Sequence, residues 1–440
     1  MEYFWKIFIR SSVLVLLFSW PTASANSQAA GGPPTPMLEQ SKPTDWWFAF
    51  KFNAYTYPRP DGSAPTCIFG GEPGGSRGYK QIGQSYAVAS YKQPTLQMAA
   101  GYLGDSNSDP LGATFSQIYA TSTYFVVWND QFYGDPLLPC ETDKKECAAP
   151  WGHSKGVVMW DKSGSGVLLQ VTTPDWPGSG VKAPARAEGN SLGCTNDNDV
   201  LLSQDFFALK LTEPDLLAVL DALKEEGAVT DPKNTHLVRT GGPEEVQEAV
   251  AQLGSANTDS TYTDVPLSSG VRLIAKSGGL EVPPWQMISA LLGQKPLRVA
   301  SFWSGEKIYP TQSAGAPRCW EAGLGTPGPV DIAETGTWNN AAICLSGAAC
   351  TGGPKGTNHA KIAVATEDGA DTVIFSDMNQ DGTLTPLNGS SGCGVSQNKR
   401  GGMFFLVQNK ELHDSIAGLL KGSSPKPDPD NKAPIKTKMR

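Results

Sequence analysis

The stretch Asn358-His359-Ala360-Lys361-Ile362-Ala363-Val364-Ala365 decides how this chain is read, because an earlier stretch, Gly152-His153-Ser154-Lys155-Gly156-Val157-Val158-Met159-Trp160, follows the same plan. In each, a His and a Lys stand two apart at the head of an apolar run. A polar turn follows, Asp161-Lys162-Ser163-Gly164 or Glu367-Asp368-Gly369, and then a returning run, Val167-Leu168-Leu169 or Thr372-Val373-Ile374-Phe375. A short polar residue follows each hairpin: Asp175 in the first copy, Asn379 in the second. Side chains alternate faces along a strand, so a His and a Lys at i and i+2 share one face. One imidazole and one ammonium, supplied twice to one space, suit a phosphate ester. They offer two groups for proton transfer or attack and two fixed cations.

Of the four histidines, His153, His236, His359 and His413, only His153 and His359 head such a hairpin. The other two read as surface or helix-cap residues. The candidate catalytic set is therefore His153, Lys155, His359 and Lys361, with Asp175 and Asn379 as candidate substrate-binding residues. Either of those last two also reads as a plain turn residue. A competing motif overlaps the second copy: Asp377-Met378-Asn379-Gln380-Asp381-Gly382 opens like a calcium loop. Such a loop needs an acidic residue at its twelfth position, and Asn388 stands there, so no metal or other cofactor is expected.

Around this pair the chain is organised as follows. Lys6 and Arg10 precede a short apolar run, Val13 to Phe18, and Ala23-Ser24-Ala25 fits a cleavage signal, so residues 1–25 read as a secretory signal peptide. No later segment reaches the roughly 18 apolar residues of a membrane span, so a secreted or periplasmic protein without an anchor is expected. Residues 26–44 read as a flexible leader, 45–254 as a first half, 255–421 as a second half, and the Pro-rich stretch 422–440 as a disordered tail. Strands are expected at Trp46–Phe52, Tyr124–Trp128, Val200–Leu211, Val271–Lys276, Leu297–Trp303 and Gly402–Val407. Helices are expected at Pro214–Glu226, capped by Thr212 and ended by Gly227, and at Pro243–Leu253, Pro284–Leu292 and Lys410–Leu420. The segment between Phe52 and Tyr124 opens with a long Gly/Pro loop.

Export permits disulfides among the eight cysteines, and about 105 pairings are conceivable. The close pairs Cys140/Cys147 and Cys344/Cys350 read as loop staples, and Cys67–Cys194 and Cys319–Cys393 are the expected longer links. The net charge of −8 opposes nucleic-acid binding at neutral pH. That objection weakens in acid, where carboxylates protonate while His and Lys stay cationic.

The two H-x-K units resemble the signature of the phospholipase D superfamily. Its usual Asp, which follows the Lys after a four-residue spacer, is replaced by Trp160 and Thr366, with Asp161 and Glu367 one place later. This variation resembles deoxyribonuclease II, as do Asp45-Trp46-Trp47-Phe48, Trp128-Asn129-Asp130-Gln131, Asp377-Met378-Asn379 and Arg400-Gly401-Gly402. Cys194 and Cys319 match family positions too, whereas Asn358, Ala360, Ile362 and Asp175 depart from its usual residues. The resemblance implies an α/β fold of phospholipase D-like, pseudosymmetric, two-half type, each half a mixed β-sheet flanked by helices. It also implies metal-independent cleavage of DNA in acid, leaving 3'-phosphate and 5'-hydroxyl ends. DNA is then the partner, and a homodimer is left open. Two alternatives stand beside it: a secreted phospholipase D-type enzyme acting on lipid, and a DNA- or polyanion-binding protein without turnover.

Overall fold

The apolar runs that flank the two motifs are buried end to end, and they form the middles of two separate sheets. A computed structural model describes residues 32–57, 83–134, 136–138, 140, 146–178, 192–193, 201–303, 308–346, 358–387 and 392–426. The first sheet contains β1 (Trp46–Lys51), β2 (Tyr86–Ser90), β3 (Gln93–Met98), β4 (Tyr124–Asn129), β5 (Lys155–Trp160), β6 (Gly166–Val171), β7 (Gln204–Leu211) and β8 (Val238–Arg239). Its strand order is β3-β2-β1-β7-β6-β5-β4-β8. The second contains β9 (Tyr262–Pro266), β10 (Arg272–Lys276), β11 (Leu297–Ala300) and β12 (Val330–Ile332). A two-stranded ribbon, β13 (Thr335–Trp338) with β14 (Ala341–Cys344), interrupts it in sequence. It resumes with β15 (Ile362–Ala365), β16 (Thr372–Ser376) and β17 (Gly402–Gln408), in the order β12-β11-β15-β16-β17-β10-β9.

The middles of the two sheets run in matching order: β1-β7-β6-β5-β4 in one and β10-β17-β16-β15-β11 in the other. Each H-x-K unit thus leads into the equivalent strand, β5 or β15. The edges differ. β8 pairs antiparallel to β4, whereas β12 pairs parallel to β11. The sheets meet through aromatic rings: Phe48 of β1 stacks on Phe375 of β16 at 4.3 Å, and Phe207 of β7 packs on Phe375 and Phe405. Burying such rings removes a large apolar area from water, so this contact holds the two sheets to one core. A boundary near residue 254 therefore separates the strands of the two sheets but not their interiors, and the chain from Gly32 onward is one compact unit.

Among the described residues five α-helices join the sheets: α1 (Pro110–Phe115), α2 (Glu213–Glu226), α3 (Glu244–Ala251), α4 (Pro284–Leu291) and α5 (Lys410–Leu419). In α2, Thr212 and Asp215 make a reciprocal capping box and Gly227 closes the helix at φ 69°, a left-handed conformation that glycine adopts at least cost. α2 follows the first sheet yet packs on β10 of the second, and α5 follows the second yet packs on β3 of the first.

Several expectations need correction. The segment between Phe52 and Tyr124 holds β2, β3 and α1. β3 is mostly exposed and carries Pro94, so it lacks the alternation that marks a half-buried strand. Residues 32–44 are docked rather than loose: Thr35 and Gln117 exchange hydrogen bonds and the Met37 N–H donates to Thr114 Oγ1. The start of the tail is also tied down, with Ser423 bonded to Thr335 and Ser424 to Arg298. Cys140–Cys147 and Cys319–Cys393 are bonded as expected. Cys344 is disulfide-bonded too, while Cys67, Cys194 and Cys350 lie outside the described residues, as do residues 1–25 and Asn388. No helix among the described residues is long and apolar enough to cross a membrane.

Candidate active site

Both motifs lie in the extended lead-in to their strands, with Lys155 opening β5 and Lys361 just preceding β15. His153, Lys155 and Lys361 are buried and His359 is half-buried, and the lysines are almost wholly removed from water. An isolated buried ammonium is very unfavourable. Two aspartates supply what it needs. The Lys155 ammonium donates to Asp130 Oδ1 at 2.6 Å and to Asp377 Oδ2 at 2.8 Å, and Lys361 Nζ lies 3.2 Å from Asp377 Oδ1. Asp130 also accepts from the Arg400 guanidinium at 2.9 Å. A chain of alternating charges, Arg400–Asp130–Lys155–Asp377–Lys361, thus links two motifs that lie about 200 residues apart in sequence.

His153 joins this chain. Its Nδ1 is 2.5 Å from the main-chain oxygen of Asp377, and its Nε2 is 4.0 Å from Asp130 Oδ2. A carbonyl oxygen can only accept, so Nδ1 carries the proton in that bond and the neutral ring keeps its lone pair on Nε2. His359 faces the same cations, Lys361 and Lys155, and in addition Lys51. The edge of one ring meets the face of the other between Phe302 and His359, with centroids 5.1 Å apart.

Burial, followed by the positive charge of neighbouring lysines, holds both imidazoles well below the ordinary histidine value. Burial pulls Asp377 above the usual carboxylate range despite its two lysines. Burial acts the same way on Asp130, but Lys155, His153 and Arg400 outweigh it and keep that carboxyl below the range. Burial lowers Lys361, which has Asp377 as its close ion-pair partner, whereas Asp130 and Asp377 together overcome burial and raise Lys155.

Two further acids stand behind the motifs. The Asp205 carboxylate accepts the Lys361 main-chain N–H at 2.8 Å, and Ser154 donates its hydroxyl to Glu226 Oε1. Burial pushes Asp205 well above the carboxylate range and Glu226 to about 8. Gly401 is required by this packing, because a Cβ there would fall 1.9 Å from the Glu226 carbonyl oxygen.

The candidate substrate-binding residues are less closely tied to the ion-pair chain. Asp175 is buried at a turn with φ 61°, its N–H donating to the Gln131 carbonyl. Asn379 is buried two residues beyond Asp377, its N–H on Gln397 Oε1 and its side-chain oxygen without a hydrogen-bond partner among the described residues. Asp161 and Glu367 are remote from the chemistry: the first organises its hairpin turn through Ser163 and the second pairs with Lys295. His413, read as a surface or helix-cap residue, is buried, with Nε2 on the Ala365 carbonyl.

Asp130, His153 and Asp377 bring ligand atoms within 4.8 Å of one another, close enough to hold a cation. The Lys155 ammonium already bonds both carboxylates, so a divalent ion would have to displace it. The calcium-loop reading of residues 377–382 fares no better, since the Asp377 carboxylate is committed to Lys155 and Lys361.

The sequence model of a family described as Deoxyribonuclease II matches residues 36–207. That span includes His153, Lys155 and Asp130 and ends before His359 and Lys361. No curated protein matches the chain.

Proposed function

We propose that this chain, whose residues 36–207 match the sequence model of the deoxyribonuclease II family, hydrolyses DNA phosphodiester bonds as an acid endonuclease working without a metal from a single two-histidine site. What carries the reading is the convergence on Asp377: Lys155 and Lys361 share its carboxylate, and His153 shares its carbonyl. The matching strand order of the two sheets supports a phospholipase D-like arrangement with one motif from each.

In the proposed reaction His153 Nε2 attacks phosphorus, with the ring held by its Nδ1–H bond to Asp377. The bond from phosphorus to the 5'-oxygen breaks, and His359, protonated, gives its proton to that oxygen. This leaves a 5'-hydroxyl end and a phosphohistidine joined to the 3'-oxygen. Water, deprotonated by His359, then attacks phosphorus, releasing a 3'-phosphate and restoring His153. Lys155 and Lys361 leave Asp377 for the non-bridging oxygens and offset the charge of the transition state.

Acid favours each part. A depressed imidazole pKa means that the leaving-group acid is populated only as pH falls. Asp377, raised by burial, takes up a proton in the same direction and gives up its lysines to the phosphate. The disulfides fit a secreted or periplasmic protein.

The test is plasmid cleavage at pH 5 and pH 8 in millimolar chelator. We expect nicking at pH 5 that survives chelator, falls steeply by pH 8, and drops at least about 10²-fold in His153→Ala and in His359→Ala. Chelator-sensitive cleavage retained by both variants would end this reading.

A further inference from the structure

Two more buried lysines lie outside the ion-pair chain, and they are placed alike. Lys51 ends β1 opposite Gln204 at the start of β7, and Lys276 ends β10 opposite Gly402 at the start of β17. Neither side chain is exposed to water. Each reaches back to the carbonyl two residues before its register partner: Lys51 Nζ donates to the Leu202 oxygen, and Lys276 Nζ to the Arg400 oxygen at 2.7 Å. Each also ties in other backbone, Gly83 at 2.6 Å for Lys51, and Ser277 and Asn398 at 3.0 Å for Lys276.

The residue after each clamped carbonyl meets a motif from the other sheet. The Ser203 carbonyl accepts the His359 N–H at 2.8 Å, and the Gly401 carbonyl accepts the His153 N–H at 2.8 Å. Both histidines are therefore seated on main chain from the opposite sheet, and in both cases a buried ammonium fixes the adjacent peptide.

We propose that Lys51 and Lys276 are paired positioning residues, each setting the seat of the catalytic histidine contributed by the other sheet: Lys51 for His359, and Lys276 for His153. An ammonium suits this task because its three N–H groups can gather carbonyls from separate segments at once. A methionine would fill the same volume but leave those carbonyls buried and unpaired. Burial pulls Lys276 down to about 7, with Glu281 opposing it, which shows how strongly its surroundings disfavour the charge that the carbonyls require. Displacing an imbedded imidazole by as little as about 1 Å can cost about 10²-fold in rate.

The catalytic part rests on the roles proposed above for the two histidines, and the seating part does not. Lys51→Met and Lys276→Met, in the full disulfide-bonded chain, are compared by peptide-level hydrogen exchange at pH 5. Lys51→Met is expected to deprotect peptides spanning 203–205 and 358–361 at least about tenfold while sparing 152–154, and Lys276→Met to do the reverse. In turnover, both variants lose kcat on DNA at least about tenfold with little change in KM. On bis(p-nitrophenyl) phosphate, whose leaving group needs little protonation, Lys51→Met recovers bond cleavage and Lys276→Met does not. If a methionine variant fails to fold, the arginine variant is used, which keeps the cation and misplaces its donors. Exchange that rises equally at both seats, or unaltered exchange with full kcat, would overturn the proposal. The crossed exchange pattern with the opposite kinetic asymmetry would leave the seats in place and overturn the assignment of His153 as nucleophile.

Discussion

The two H-x-K units look interchangeable as strings, yet they are held differently. Lys155 lies between two carboxylates, Asp130 and Asp377, whereas Lys361 pairs with Asp377. Correspondingly, burial is overcome at Lys155 and prevails at Lys361. His153 is bonded through Nδ1 to a carbonyl, while His359 lies against the ring of Phe302. A repeated motif thus supplies the same atoms twice, and the surroundings divide the labour. In the proposed reaction the first unit, held in orientation by the Asp377 carbonyl, supplies the nucleophile, and the second supplies the proton-handling group.

That difference is open to direct attack. Removing Lys155 leaves two buried carboxylates short of a partner, so Lys155→Met should cost about 3–5 kcal/mol of stability, while Lys361→Met should cost clearly less because Lys155 remains on Asp377. Denaturant unfolding at pH 7 measures both, and equal losses would erase the distinction. Both variants should also be severely impaired in cleavage.

A smaller effect is expected from Asp377→Asn, which removes the carboxylate that holds both ammoniums. Measured in a cleavage-silent His153→Ala background, DNA affinity at pH 7 should rise on the order of tenfold over His153→Ala alone, with little change at pH 5. A pH dependence of binding identical in the two proteins would show that Asp377 does not compete with phosphate.

Glu226→Gln should change acid activity least of all, since the carboxyl behind Ser154 is already neutral there. Its pKa is raised from 4.5 to about 8 in the folded chain. A raised acid stabilises the fold fully below its unfolded value and loses that contribution as pH rises toward the folded value. The glutamine variant should therefore gain on the parent between about pH 4.5 and 8, on the order of 1 kcal/mol per pH unit. A stability gap independent of pH would place the carboxyl in its ordinary range.

How much of this was legible beforehand follows from which groups do the holding. β1, β4 and both motif hairpins announce themselves by apolar runs between turns, and α2 by Thr212 and Gly227, because those signals are local. β3 carries no such signal, since few of its residues are buried. Asp130 and Arg400 stand out only through family resemblance, and Asp377 through that and a calcium-loop pattern. Their roles as lysine and histidine partners depend on contacts spanning some 220 to 270 residues, such as Lys155 with Asp377 and Arg400 with Asp130. Lys51, Lys276, Asp205 and Glu226 had no sequence signal at all: the lysines bind carbonyls, which every residue possesses, and the acids bind a main-chain N–H and a serine hydroxyl.

The central claim, one site in which His153 attacks and His359 handles the proton, is tested most directly by trapping the intermediate. His359→Ala is mixed at pH 5, in chelator, with bis(p-nitrophenyl) phosphate, whose leaving group departs without help but whose phosphoryl-enzyme then lacks its hydrolytic base. Rapid quenching under alkaline conditions that preserve phosphohistidine, followed by peptide mass spectrometry, should locate a substrate-derived phosphoryl group on His153 in a burst approaching one per active site. Release of p-nitrophenol with His153 unmodified would contradict the account.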